Sequence, residues 1–338
     1  MATFIVAELS ANHGGSLDIV KQSILKAKEI GCDAMKIQTF RPETITLDCD
    51  NSYFQIRQGT LWDGETLFNL YQSTYLPWEW HKEIFEYAKE KGIILFSTPF
   101  DNDAIELLEE CNNPIYKIAS FEITDVNLIK RAAECGKPIV ISTGIATEEE
   151  IKEAVDACRQ VGNNDITLLQ CTSEYPARIE DANLATMVDM GNRFGVKVGI
   201  SDHSLGSEVA STAVAMGACM VEKHFTLNKT IGGADAEFSL DAEAFAKLVE
   251  DIRTVEKIMG KVTYELNEKK LKSRKFARSL FVTENVCDGD EITLENVKSI
   301  RPNDGLAPKH LEAIIGKRFN KKLERGTPLS LDDIEGVL

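Results

Sequence analysis

The chain of 338 residues contains only five histidines, and its eight cysteines form no CxxC pair. Scattered cysteines in a chain this long predict reduced core thiols rather than a disulfide frame. No apolar run reaches the ~18 residues of a membrane span, so no membrane partner is expected. The opening stretch MATFIVAEL has no basic n-region or cleavage signal, which predicts a cytoplasmic protein. Cationic side chains are in deficit: 38 Lys and Arg against 54 Asp and Glu leave a formal charge of -16. That is the wrong sign for a nucleic-acid binder. An anionic substrate would have to be held by local cations against a repulsive overall field. Low-complexity tracts are missing, and so is a GxGxxG after the first strand, which weakens a dinucleotide-binding doubly wound sheet.

What is present is alternation. Short apolar, β-rich runs occur at 4–9, 34–40, 94–99, 115–120, 138–143, 166–172, 196–201 and 219–225, and amphipathic helical patterns follow them. Two of these helical patterns, SLDIVKQSILKAKEIG and TEEEIKEAVDACRQVG, end in glycine, as helix C-termini often do. Eight such units predict an α/β fold of the (β/α)8 TIM-barrel type, because near-continuous apolar strands imply a parallel sheet covered by helices. Residues 41–76 form an insertion after the second strand. Residues 1–260 are expected to make the barrel and 261–275, polar and basic, a linker. The rest, 276–338, reads as a small, mostly β domain of turn-separated pieces.

Barrel active sites lie at the C-terminal ends of strands, so polar residues there are the candidates. Lys36 and Lys117 each interrupt an apolar strand. A single such lysine is as easily one whose stem packs while its ammonium reaches solvent. Two at matching places, with Ser120, Ser142 and Ser201 near strand ends, point instead to an anion site built from charge-assisted hydrogen bonds. His203 and His224 follow the seventh and eighth runs. If those strands are neighbours, their ends are about 5 Å apart. Each histidine alone is most simply a loop cap or a core residue; together they suit one exchangeable Mn²⁺-like ion. Glu8, Glu122 and Asp235 add carboxylates able to act as bases, although a loop acid such as Glu122 is ordinarily solvated.

The motifs FIVAELSANHGGSL, MKIQTF, STPF, YKIASFEITD, ISTGIAT, CTSEYP, GISDHSLG and EKHFTL, in this order, resemble the sialic acid synthase family. FARSL, DGDEIT and SIRPNDGL resemble the family's C-terminal antifreeze-like (SAF, β-clip) domain. The resemblance spans practically the whole chain. It implies condensation of phosphoenolpyruvate with an open-chain amino sugar, giving a nine-carbon 2-keto acid and phosphate. Carried over, Lys36, Thr98, Lys117, Ser120, Ser142 and Ser201 would cradle phosphoenolpyruvate. His203 and His224 would bind a divalent metal ion (Mn²⁺, Mg²⁺ or Co²⁺), and with Glu8 and Glu122 they would make up the catalytic group. Gln38, Ser173, Tyr175, Asp235 and Arg301 would line the sugar site. Ser173 departs from the asparagine often found there. The family also implies a domain-swapped homodimer in which Arg301 reaches the partner's barrel.

Within the family, AELSANHGG and GTLWDGETLFNLYQ look most like the branch that makes pseudaminic acid from 2,4-diacetamido-2,4,6-trideoxy-L-altrose. Leu61, Trp62 and Phe68 would suit a sugar lacking the C6 hydroxyl, or would simply anchor the insertion. An N-acetylneuraminate or legionaminic acid synthase is the alternative. Two rivals stand further off. A non-catalytic carbohydrate-binding protein would leave two lysines in apolar strands without use, at a cost in burial. A Schiff-base aldolase acting through Lys117 would leave the histidine pair without a purpose.

Overall fold

The computed structural model describes residues 2–57, 59 and 62–336. The chain divides into two compact units, Met1–Gly260 and Lys261–Leu338.

The first unit is a closed barrel of eight parallel strands: β1 (Phe4–Glu8), β2 (Ala34–Thr39), β3 (Ile94–Pro99), β4 (Tyr116–Ile118), β5 (Ile139–Ser142), β6 (Ile166–Cys171), β7 (Lys197–Asp202) and β8 (Met220–His224). Closure comes from β1, which pairs with both β2 and β8. Strand parity divides the residues into two sets. Ile5, Met35, Leu95, Ile118, Ile141 and Val221 pack outward in the large core shared with the helices. Val6, Ala34, Phe96, Val140, Leu169 and Met220 form a separate apolar cluster inside the barrel. Two residues further along five of these six strands, the inward positions turn polar: Glu8, Lys36, Thr98, Ser142 and Glu222, all buried. The apolar layer is therefore the floor on which a polar layer rests.

The helical patterns hold where the sequence placed them. Ser16 caps helix Leu17–Glu29 by accepting from the Ile19 amide. Thr147 and Glu150 form a reciprocal capping box on helix Glu148–Gln160. Gly31 (φ 90°) and Gly162 (φ 83°) take the left-handed region just beyond these helices, which a Cβ would strain. Among the described residues no helix is long and apolar enough to cross a membrane.

Three details go beyond the sequence reading. Cys32, Cys158 and Cys171 are buried, Cys111, Cys135 and Cys219 pack half-buried against the apolar clusters, and Cys287 is exposed. All eight are free. The stretch expected as linker holds a short helix, Glu268–Arg274, capped by Asn267. In the second unit the only ladder among the described residues is β9 (Ser279–Val282) antiparallel to β10 (Val297–Ile300). Isolated bridges such as Phe281 to Pro328 and Val286 to Leu323 replace further strands. Its apolar runs are too short between turns for more; they still close a core around Leu280, Val282, Ile292, Val297, Phe319 and Leu329.

Candidate active site

The polar layer carries four buried charges. Lys36 Nζ lies 2.8 Å from Glu8 Oε2 and 3.6 Å from Glu222 Oε1, and Lys117 Nζ lies 3.8 Å from that same Glu222 oxygen. Hydroxyls fill the gaps: Lys36 donates to Thr98 Oγ1 at 3.3 Å, Lys117 to Ser142 Oγ at 2.6 Å, and Ser201 to Glu222 Oε1 at 3.2 Å. Gln38 Nε2 donates to Glu8 Oε1 at 3.1 Å and to Ser10 Oγ at 2.9 Å. Burial raises the Glu8 carboxyl to about 7, with Glu222 adding to the rise and Lys36 only partly opposing it. For Lys117, burial prevails over Glu222 and lowers the ammonium. Glu222 moves the opposite way to Glu8: burial resists its ionisation, but the two lysines outweigh burial and hold it ionised. Glu8 Oε2 and Glu222 Oε2 are buried with no hydrogen-bond partner, although Glu8 Oε2 faces the Lys36 ammonium.

Glu122 is not a solvated loop acid. It ends the short 3-10 turn Ser120–Glu122, its Oε2 is buried without a hydrogen-bond partner, and burial raises it to about 7 against the pull of Lys117. The Ser120 hydroxyl accepts from the Gly144 amide at 3.3 Å. A Cβ on Gly144 would collide with Ser173 Oγ and crowd Ser120 Oγ. Glycine here lets the β5 and β6 loops approach closely, a requirement the sequence reading missed.

His203 and His224 come together, with ring centroids 5.3 Å apart. Tyr175 stacks 4.4 Å from His203 and 4.9 Å from Phe238, and Phe238 lies 4.9 Å from His224. Trp62 of the insertion packs 6.1 Å from Tyr175. The His203 Nδ1–H donates to the Thr172 carbonyl at 2.8 Å, which directs Nε2 away from it. The His224 Nδ1 is buried and has no hydrogen-bond partner; Asp235 Oδ2 is 3.8 Å from it. Burial first, then His203 and the lysines, hold His224 well below the usual histidine range, so its imidazole is neutral. His203 goes the other way, because Cys171 and the Thr172 carbonyl outweigh burial. A divalent ion held there would need the His203 nitrogen that faces it unprotonated. Among the described residues no group of three His, Cys, Asp or Glu is arranged to hold a metal. Two nitrogens, one of them orphaned, therefore fit an open, exchangeable site and not a closed one.

Asp235 accepts from the Ala11 amide at 3.3 Å, and burial raises its carboxyl. Arg301 lies in the second unit, exposed, just after β10. Phe68 sits half-buried in helix Leu67–Thr74, and among the described residues no ring contact joins it to the site. Leu61 lies outside the described residues. Two residues escaped assignment from sequence. Glu222 shares its strand face with His224, so parity alone pointed to it; Cys171, whose Sγ is 3.9 Å from His203 Nδ1, carried no sequence signal.

A family model described as the NeuB family matches residues 23–264, and a SAF domain model matches residues 277–335. A pseudaminic acid synthase of Helicobacter pylori is 49% identical over 335 residues, covering 99% of this chain and 98% of that one. An N,N'-diacetyllegionaminic acid synthase of Legionella pneumophila is 35% identical over 341 residues, covering 99% and 95%. The crystal structure of an N-acetylneuraminic acid synthetase from Leptospira borgpetersenii, solved with citrate, aligns with a TM-score of 0.72 at 31% identity, covering 81% of this chain and 90% of that one.

Proposed function

The chain belongs to the NeuB family, and from that premise we propose that it condenses phosphoenolpyruvate with 2,4-diacetamido-2,4,6-trideoxy-L-altrose to give pseudaminic acid and phosphate. The observation that carries this reading is the near-full-length identity of 49% with a pseudaminic acid synthase, well above the 35% with a legionaminic acid synthase. A carbon–carbon bond forms between C3 of phosphoenolpyruvate and the sugar's aldehyde carbon. Water adds at C2, and the C2–O bond to phosphorus breaks with release of phosphate.

Lys36 and Lys117 supply the cations for the carboxylate and phosphate, with Thr98, Ser120, Ser142 and Ser201 as hydroxyl partners. Glu8 and Glu122, both raised to about 7, suit groups that take a proton from water and return one near neutral pH. His203 and His224 would hold a divalent ion (Mn²⁺, Mg²⁺ or Co²⁺), whose chemistry there is polarisation of the sugar's carbonyl. Gln38, Ser173, Tyr175 and Asp235 orient the sugar, and the Trp62–Tyr175–Phe238 wall suits a carbon without a hydroxyl. Water-excluding aromatic surface beside the reacting carbon also strengthens the nearby charges.

The active form in this reading is a cytoplasmic homodimer in which Arg301 of one copy serves the barrel of the other. Two groups of exposed apolar residues support it. Val262, Tyr264 and Phe276, 70–94% exposed, leave large apolar side chains uncovered in the second unit. Phe121, Ile145, Ile179 and Leu205 are exposed on the loops after β4, β5, β6 and β7. Large apolar side chains left in water suit contact sites. Light scattering that returned the mass of one chain would exclude the dimer.

The deciding assay is phosphate release from phosphoenolpyruvate against a panel of amino sugars, with and without a chelator. Turnover is expected with the L-altro sugar, to stop with chelator and return with Mn²⁺. Faster turnover on N-acetylmannosamine or the legionaminic precursor would replace the sugar assignment, and chelator-resistant turnover would remove the role given to the histidines.

A further inference from the structure

The histidine pair is tied together from behind. On the outward faces of β7 and β8, Asp202 and Lys223 are register partners, and Lys223 Nζ lies 2.6 Å from Asp202 Oδ2. Both side chains are almost fully sealed, at 1% and 2% exposure. Asp202 Oδ1 accepts from the Ser204 amide at 2.9 Å and from its hydroxyl at 2.6 Å, while Lys223 Nζ also donates to the Ser204 carbonyl. The residues on either side of His203 are thus both bonded to the residue that precedes His224.

Stability does not call for this arrangement. Taking two charges out of water costs several kcal/mol per ion, and apolar residues of similar volume often serve as well or better. The preceding outward rung of the same ladder shows that alternative in place: Ile200 and Val221 are register partners and both belong to the apolar core. Of these two outward rungs, only the one beside the histidines carries charge. What an ion pair adds over an apolar contact is direction, since its geometry defines the relative position of the two strand ends.

We propose that the Asp202–Lys223 pair is a positioning device that sets the spacing of His203 and His224 for a shared divalent ion. This rests on the reading of the histidines given above, and the test separates the two. Metal-free protein is titrated with Mn²⁺, and free ion is followed by electron paramagnetic resonance. Two variants are compared with the unaltered chain. Asp202→Glu keeps the charge but lengthens the arm by one methylene. The double variant Asp202→Leu/Lys223→Met removes both charges, so that neither is left buried alone.

Both variants are expected to fold and to bind Mn²⁺ about 10- to 100-fold more weakly, the range typical of groups that orient metal ligands. In turnover, the Mn²⁺ concentration for half-maximal rate rises in step, while KM for phosphoenolpyruvate rises less, because the cradle's cations, Lys36 and Lys117, stand on β2 and β4 and only Ser201 adjoins the pair. Unchanged Mn²⁺ affinity in either folded variant overturns the proposal. If the double variant does not fold, Asp202→Glu decides alone. Failure of Asp202→Glu to fold would make the pair a stability element and overturn the positioning role. An unaltered chain that binds no Mn²⁺ would overturn the histidine reading itself, and the inference with it.

Discussion

Glu8 and Lys36 are register partners on β1 and β2, and their side chains meet at 2.8 Å inside the barrel. With Glu222 and Lys117 they make a four-membered charge cluster resting on an apolar floor. Two cations against two carboxylates, one of which burial raises to about 7, leave the cluster able to accept an anion once a carboxylate takes up a proton.

Replacing Lys36 by Met removes the ammonium that bridges the two carboxylates. The fold is expected to survive, since Glu8 can stay protonated. KM for phosphoenolpyruvate should rise roughly 10- to 100-fold, the loss of one charge-assisted contact. Glu222→Gln acts in the opposite sense: with one anionic neighbour fewer, inorganic phosphate should inhibit at about tenfold lower concentration. Steady-state kinetics on both variants checks the pair. A KM for phosphoenolpyruvate within twofold of the unaltered enzyme for Lys36→Met excludes that lysine from the anion cradle.

Glu122 makes a stability prediction with a definite sign. Its carboxyl is raised from 4.5 to about 7 by burial, so the folded chain binds its proton more tightly than the unfolded one. The contribution is fully present below about 4.5 and is lost as pH rises to 7. Over that window this group makes unfolding free energy fall by up to about 1.4 kcal/mol per pH unit. Glu122→Gln, which keeps the neutral shape, should flatten that slope. Urea unfolding at several pH values measures it, and an unaltered slope would mean the carboxyl is not protonated in the fold.

Trp62 belongs to the insertion and packs on Tyr175, which in turn stacks on His203. Trp62→Ala should raise KM for the trideoxy sugar about 10-fold, near the ~1–3 kcal/mol that one apolar group is worth in a pocket. KM for phosphoenolpyruvate should stay level, because the lysine cradle lies elsewhere in the barrel. Equal loss toward a 6-hydroxy sugar would show that Trp62 anchors the insertion without selecting substrate.

The barrel was legible because its signals are local. Eight apolar runs at helix-sized intervals, caps such as Thr147 with Glu150, and glycines at helix ends depend on neighbours a few residues away. Parity within a strand sufficed to pair Lys36 with Gln38 and Ser201 with His203. The second unit was less legible, since single bridges between distant turns leave no periodic trace, and the helix Glu268–Arg274 lay hidden in a polar stretch read as linker.

The residues themselves determined the chemistry available to this protein: which strands carry charge inward, which carry histidine, and that cations must be concentrated against an overall charge of -16. Tertiary structure decided what that chemistry touches. Closing the barrel set Glu222 between Lys36 and Lys117, brought Asp235 to 3.8 Å from His224, and placed Asp202 against Lys223. It also buried one carboxylate oxygen of Glu122, an acid that a loop alone would leave solvated. The reason is that ionisation depends on desolvation and on distances between residues remote in the chain, and neither exists before the strands close.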